Sequence, residues 1–340
     1  MTFLKTLGLL IPLLFCANSW ADNVKINPDH PNQYTVVKGD TLWDISGKFL
    51  ENPWQWPQLW ENNQQIENPD LIYPGDTLYF LVIDGKPQLS FAKNKILKAR
   101  IRSTQTEQAI KMIPTDAIAQ FLTSPKVVDE HELAQSPYVI EFAGEHIIAG
   151  LGDRVYVQSI ENPASLSYTI YRQGITYISP ETNEVLGYEA KYIADTTIER
   201  AGSPATLTIT KADNEVRIGD RLMVSAEGEL ALNYFPRPPS ENITGSIISV
   251  LDGISQIGQH DIVVLDKGSD DGLAAGHILD IYQRGRTVRD PFAKDKNAAV
   301  TLPDEVAGLL MVFRTFKHVS YALVLEATQA IHVFDRVETP

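Results

Sequence analysis

The chain opens with an unbroken apolar run, Leu7 to Phe15, set between Lys5 and the small-x-small triplet Ser19-Trp20-Ala21. That is the layout of an export signal, residues 1–21, cut after Ala21; the run is shorter than the ~20 residues a bilayer span needs. No later stretch reaches spanning length, so no direct membrane span is expected. After a polar lead-in, Tyr34-Thr35-Val36-Val37 predicts a strand stopped by Lys38-Gly39, and Leu42, Ile45 and Phe49 recur at helical spacing. Asp40 stands where an N-cap accepts from the amides of Leu42 and Trp43. A second short helix is predicted from Pro57 through Leu59 and Trp60 to about Asn63, with Pro57 suited to a first helical position. The turns Asn68-Pro69-Asp70 and Pro74-Gly75-Asp76 follow, and Thr77 to Val82 closes the unit as a strand. Residues 34–82 thus read strand, helix, helix, strand, enough for a groove-type binding module.

From residue 138 the pattern changes to short alternating runs, among them Thr206 to Thr210, Ile262 to Leu265 and Tyr321 to Leu325, parted by Gly/Asp turns as in a barrel or sandwich. This region echoes itself. Gly152-Asp153-Arg154 returns as Gly219-Asp220-Arg221 and as Phe334-Asp335-Arg336. Ile170-Tyr171-Arg172-Gln173-Gly174 returns as Ile281-Tyr282-Gln283-Arg284-Gly285, and Ala205 to Ile209 corresponds to Ala322 to Glu326. Two duplicated β-rich units are expected, 138–235 and 241–340, joined by the stiff Phe235-Pro236-Arg237-Pro238-Pro239. Residues 83–137 connect them to the first module, with a short helical segment at Ala117 to Leu122 and an exposed strand pattern at Lys98-Ala99-Arg100-Ile101-Arg102. The fold class is α+β: a small βααβ module, then a mainly-β region.

Charge narrows the function. With 43 acidic against 29 basic residues the net charge is −14, which sets aside nucleic acid and anionic membrane as main partners. One basic island, Lys93, Lys95, Lys98, Arg100, Arg102 and Lys111 against Glu107, suits either a carboxylate-bearing partner such as a cell-wall peptide stem or a solvated strand face. The lone Cys16 leaves with the export signal, and bulky Phe15 before it is wrong for a lipid-attachment site. A cysteine nucleophile is therefore excluded. Gly-x-Ser-x-Gly, a P-loop, Gly-x-Gly-x-x-Gly and His-Glu-x-x-His are all absent, and Ser90-Phe91-Ala92-Lys93 lacks its companion motifs. Asp129-Glu130-His131-Glu132 has no second ligand cluster to make a metal site, and Lys267 to Gly272 lacks the alternating acids of a calcium loop and reads as a turn. No cofactor, metal or catalytic residue is expected.

Tyr34-Thr35-Val36-Val37-Lys38-Gly39-Asp40-Thr41-Leu42-Trp43-Asp44-Ile45, followed by Asn68-Pro69-Asp70-Leu71-Ile72-Tyr73-Pro74-Gly75-Asp76-Thr77-Leu78, resembles a LysM domain. One departure is the Trp-rich insert Asn52-Pro53-Trp54-Gln55-Trp56-Pro57. The resemblance implies binding to N-acetylglucosamine polymers, here peptidoglycan. The sugar would lie between Gly39, Asp40, Thr41 and Leu42 on one loop and Asn68, Asp70, Leu71, Ile72 and Tyr73 on the other. Such loops suit an acetamido sugar: backbone groups pair with its amide, while Leu71 and Ile72 offer its methyl an apolar seat. Trp43, Trp54, Trp56 and Trp60 are expected in the core, with Trp54 or Trp56 the more exposed.

Across nearly the whole exported chain the order of parts is similar to the LysM-containing secretin-associated proteins of type IV pili (TsaP-like), whose C-terminal half resembles that of a flagellar T-ring assembly protein. The words carrying this are Tyr282-Gln283-Arg284-Gly285, Met311-Val312-Phe313-Arg314-Thr315-Phe316 and Ser320 to Glu326. It implies a non-enzymatic periplasmic protein that tethers an outer-membrane secretin ring to the cell wall. Two other readings stay open: a cell-wall hydrolase whose paired acids meet in space within residues 138–340, and a general envelope scaffold.

Overall fold

The computed structural model describes residues 24–60, 72–83, 86–91, 112–122, 125–144, 147–225, 234–251, 256–290, 292–293 and 298–340. The export signal, the basic island, the loop residues Asn68, Asp70 and Leu71, and the expected end of the second helix lie outside them. The chain divides near residue 108 into two compact units, residues 39–42 grouping with the second.

The small unit follows the order the sequence predicts, with one strand added. It contains β1 (Gln33–Thr35), α1 (Leu42–Phe49), α2 (Trp56–Trp60), β2 (Thr77–Ile83) and β3 (Lys86–Phe91). β1 pairs antiparallel with β2, Tyr34 opposite Leu78, and β3 folds back on the other side of β2. α1 is held by its apolar stripe: Leu42, Ile45 and Phe49 are all fully buried, as the 3.6-residue period requires. Pro53 opens a 3-10 turn through Gln55, so α2 starts at Trp56, one residue ahead of Pro57.

The large unit begins with α3 (Thr115–Ile118), β4 (Lys126–Val128) and α4 (Glu130–Gln135). Next come β5 (Tyr138–Phe142), β6 (Arg154–Gln158), β7 (Ser167–Ile178), β8 (Val185–Arg200), β9 (Ala205–Ala212) and β10 (Arg221–Val224). These six follow the path β5-β6-β9-β8-β7-β10, and β10 returns to β5 through Arg221 opposite Tyr138, while β4 adds to β8. Val139, Val155, Val157, Ile170, Leu207 and Leu222 fill the interior. The remaining strands are β11 (Thr244–Leu251), β12 (Ile262–Leu265), β13 (Ile278–Gln283), β14 (Thr287–Arg289), β15 (Ala299–Thr301), β16 (Glu305–Thr315), β17 (Ser320–Ala327) and β18 (Arg336–Glu338). A closed barrel runs β11-β12-β17-β16-β13-β18, with β14 and β15 pairing as a hairpin between β13 and β16.

The two strand paths are the same, and the agreement extends to single bonds. Gly219 N donates to Val139 O as Phe334 N does to Ile247 O, and Gly152 N to Ile209 O as His260 N does to Val324 O. The bridge Ala149–Val216 has its counterpart in Ile257–Ile331. Repeated Gly-Asp words mark a shared turn. At Gly152, Gly219, His260 and Phe334 the backbone takes φ of 88°, 90°, 72° and 75°. The aspartate that follows each accepts the amide three residues earlier at 2.8 Å, and a strand begins at once.

Within this unit the barrels are tied together. Hairpin β7–β8 runs past the first barrel and sets Tyr177 against Tyr321 of β17, both fully buried. Arg314 of β16 donates to Phe121 O at 3.2 Å and Pro125 O at 2.8 Å, capping carbonyls that follow α3. The proline-rich joint lies along the second barrel, Arg237 N donating to Gly276 O and Ile278 N to Arg237 O.

Candidate glycan-binding site

The described part of the expected groove is built on the end of β1. Val36 N donates to Asp76 O at 2.8 Å and Gly75 N to Val36 O at 2.7 Å, pinning the Tyr73–Asp76 turn beside β1. Asp76 Oδ2 accepts Tyr73 N at 3.0 Å, closing that turn from within. Gly39 and Gly75 have φ of +100° and +91°, and a Cβ on either would meet open space. Backbone angle, not crowding, is what calls for glycine there.

The sequence-predicted residues divide by burial. Gly39 is exposed, Asp40 and Tyr73 are half-buried, and Thr41 and Leu42 are buried. Ile72, expected as an apolar seat, is 0% exposed; its side chain belongs to the core, and only its backbone can meet a ligand. Asn68, Asp70 and Leu71 lie outside the described residues. Trp43 and Trp56 are core, while Trp54 is the half-buried one.

The large unit holds a second concavity that no local motif announces. A cleft of about 510 Å³ is lined by α4, β7, β8 and the turn into β10, with Glu130, Tyr171, Arg172, Arg217 and Arg221 among its walls. Arg172 grips Asp220 with two bonds of 2.8 and 2.7 Å, and Asp220 holds that guanidinium further above its ordinary pKa. Arg221 donates to the carbonyls of Ala134 and Ser136, both at 3.1 Å. Its walls come from four separate stretches of chain, so only folding assembles them. Among the described residues no group of three or more His, Cys, Asp or Glu side chains could hold a metal. Asp129-Glu130-His131-Glu132 is exposed at the start of α4. Lys267 to Gly272 is a 3-10 turn in which Gly268 N donates to Asp271. Asp280 has its pKa pushed up to about 6, first by burial and then by Glu338 and Glu326, but it stands on the second barrel away from the cleft walls.

Two matches with known proteins bear on the chain. Over 58 residues the chain is 49% identical to the uncharacterized protein YqbP of Bacillus subtilis (strain 168), a match covering 14% of this chain and 26% of that one. The chain thus spans about a quarter of that relative's length. Residues 34–80 match the LysM family, whose strand, helix, helix, strand order is the one seen in β1, α1, α2 and β2. The chain carries a LysM domain at residues 34–80, the module of peptidoglycan-binding proteins.

Proposed function

We propose that the chain is an exported, non-enzymatic wall anchor. Its LysM domain grips the N-acetylglucosamine-containing strands of peptidoglycan, and its β region, two copies of one barrel, holds a partner in the envelope. The observation that carries this is the LysM match over residues 34–80. Duplication of the barrel is supported by the common strand path and by the matching turns and bridges. The glycan contacts are Gly39, Asp40, Thr41, Leu42, Asn68, Asp70, Leu71, Ile72 and Tyr73, with Leu42 and Ile72 acting through their backbone. The partner we favour is the outer-membrane secretin ring of a type IV pilus, on the sequence words in residues 282–326, which places the chain in the periplasm. A single small sugar site binds weakly, and retention comes from many contacts along a repeating polymer.

Sedimentation with isolated sacculi tests the grip. The chain from residue 22 is expected in the pellet and a variant lacking 24–83 in the supernatant, with Tyr73→Ala weakening retention several-fold. Ile72→Asp is the wrong probe, because a charge in that core site unfolds the module. Soluble chain that never pellets overturns the anchor, and release of muropeptides overturns the non-enzymatic reading. Crosslinking in cells from the surface of either barrel tests the secretin: capture of a different envelope protein instead makes the chain a general scaffold.

A further inference from the structure

The two barrels share a strand path and part company at one end. In the first, the loop before β6 carries Ile147, 90% exposed, Ile148, and Leu151, 71% exposed, while the turn before β10 adds Ile218 at 58%. The Ala149–Val216 bridge holds the two loops side by side. Counted along the sequence from the Ile257–Ile331 bridge and the turns at His260 and Phe334, the second barrel has Gln256, Gln259 and Val333 at the matching described positions, and Ser255, outside the described residues, stands in sequence where the first has Ile147. Three of the four positions are polar in the sister barrel. The fold therefore does not require an apolar tip, and an exposed apolar patch marks a surface meant to be covered.

Ile218 also lines the arginine-bearing cleft. Three guanidinium groups, Arg172, Arg217 and Arg221, share it with two carboxylates, Glu130 and Asp220, in a chain of net charge −14. Asp220 is taken by Arg172, and Arg221 is engaged by two carbonyls. Arg217 is exposed, and its side chain has no partner among the described residues. The second barrel keeps Arg336 where the first has Arg221, but has Gln283 and His332 in place of Arg172 and Arg217, so those two guanidinium groups are particular to the first barrel.

We propose that this end of the first barrel docks an acidic, apolar segment of a partner protein, its apolar side chains covering Ile147, Ile148, Leu151 and Ile218 and a carboxylate reaching Arg217. An anionic lipid surface suits the site less, because it sets an extended sheet of charge against the acid excess of the whole chain, whereas a short segment brings only a carboxylate or two. The proposal rests on the reading that the β region holds a partner, and it names where.

The test uses the chain from residue 22 and a fluorescein-labelled peptide alternating leucine and glutamate, with a leucine–lysine peptide as control, read by anisotropy. Saturable binding of the acidic peptide alone is expected, weakened about tenfold by Arg217→Glu and by Leu151→Asp, the size of one charge-assisted contact. Both sites are exposed, so unchanged thermal melting verifies the fold, and Arg200→Glu on another face leaves binding intact. Equal affinity for the two peptides, no binding of the acidic one, or full affinity in Arg217→Glu overturns the proposal. Binding to anionic vesicles in place of the peptide overturns it in favour of a membrane. Sacculus sedimentation of the same variants stays unchanged, which separates failure of this site from failure of the glycan grip.

Discussion

Asp76, Asp153, Asp220, Asp261 and Asp335 each open a strand in the same way, by accepting an amide three residues back. That bond satisfies a donor the turn leaves free, and it needs a left-handed residue just before the aspartate. Glycine fills this place at positions 75, 152 and 219, but His260 and Phe334 fill it elsewhere. The Gly-Asp word was legible in the sequence, whereas His260-Asp261 carried no such sign, because a backbone angle leaves no trace in a histidine. Gly152→Ala is expected to lose about 1 kcal/mol although its Cβ meets open space, since the strain lies wholly in φ. Phe334→Gly, at a half-exposed site, should gain up to about 1 kcal/mol by relieving the same strain. Urea midpoints of the two variants check both signs.

At the scale of elements, what the sequence showed and what it hid follow from distance along the chain. α1 was legible because its apolar stripe is local, and α2 was misplaced by one residue because Pro53 starts a tighter turn first. Strands were visible as alternating runs, but closure was not: β5 meets β10 through Tyr138 and Arg221, far apart in sequence. Cross-strand pairs are equally hidden, and one has a consequence for pH. Asp280 on β13 lies opposite Glu338 on β18, like charges that repel at this spacing. Burial first, then Glu338 and Glu326, push Asp280 up to about 6. From about 4, the ordinary range for aspartate, up to about 6, the folded chain keeps a proton that the unfolded chain has released. Stability therefore falls as pH rises through that window. Asp280→Asn should flatten this slope and stabilise the barrel above pH 6 by about 1 kcal/mol, a figure reduced for its partial exposure. Denaturation curves at pH 4, 5, 6 and 7 measure it.

For the whole molecule, the LysM domain announced itself because its family words are contiguous, while the cleft and the seam between barrels are made by residues that only folding brings together. At that seam the hydroxyls of Tyr177 and Tyr321 face each other in a dry setting without a well-formed hydrogen bond, and burial raises both pKa values far above the ordinary phenol range. The double variant Tyr177→Phe with Tyr321→Phe is expected to be at least as stable as the parent, because a buried unsatisfied hydroxyl costs about 1–3 kcal/mol. A single cooperative transition of the β region at higher denaturant would bear this out, and a lower midpoint would refute it. Arg314 has a different consequence. Since it pins Phe121 and Pro125 to β16 before the first barrel begins, tension pulling on the chain ahead of residue 112 travels into the second barrel by a short path. The chain itself runs on from Pro125 into β4, which pairs with β8 of the first barrel, so the same pull is shared between both barrels from the outset.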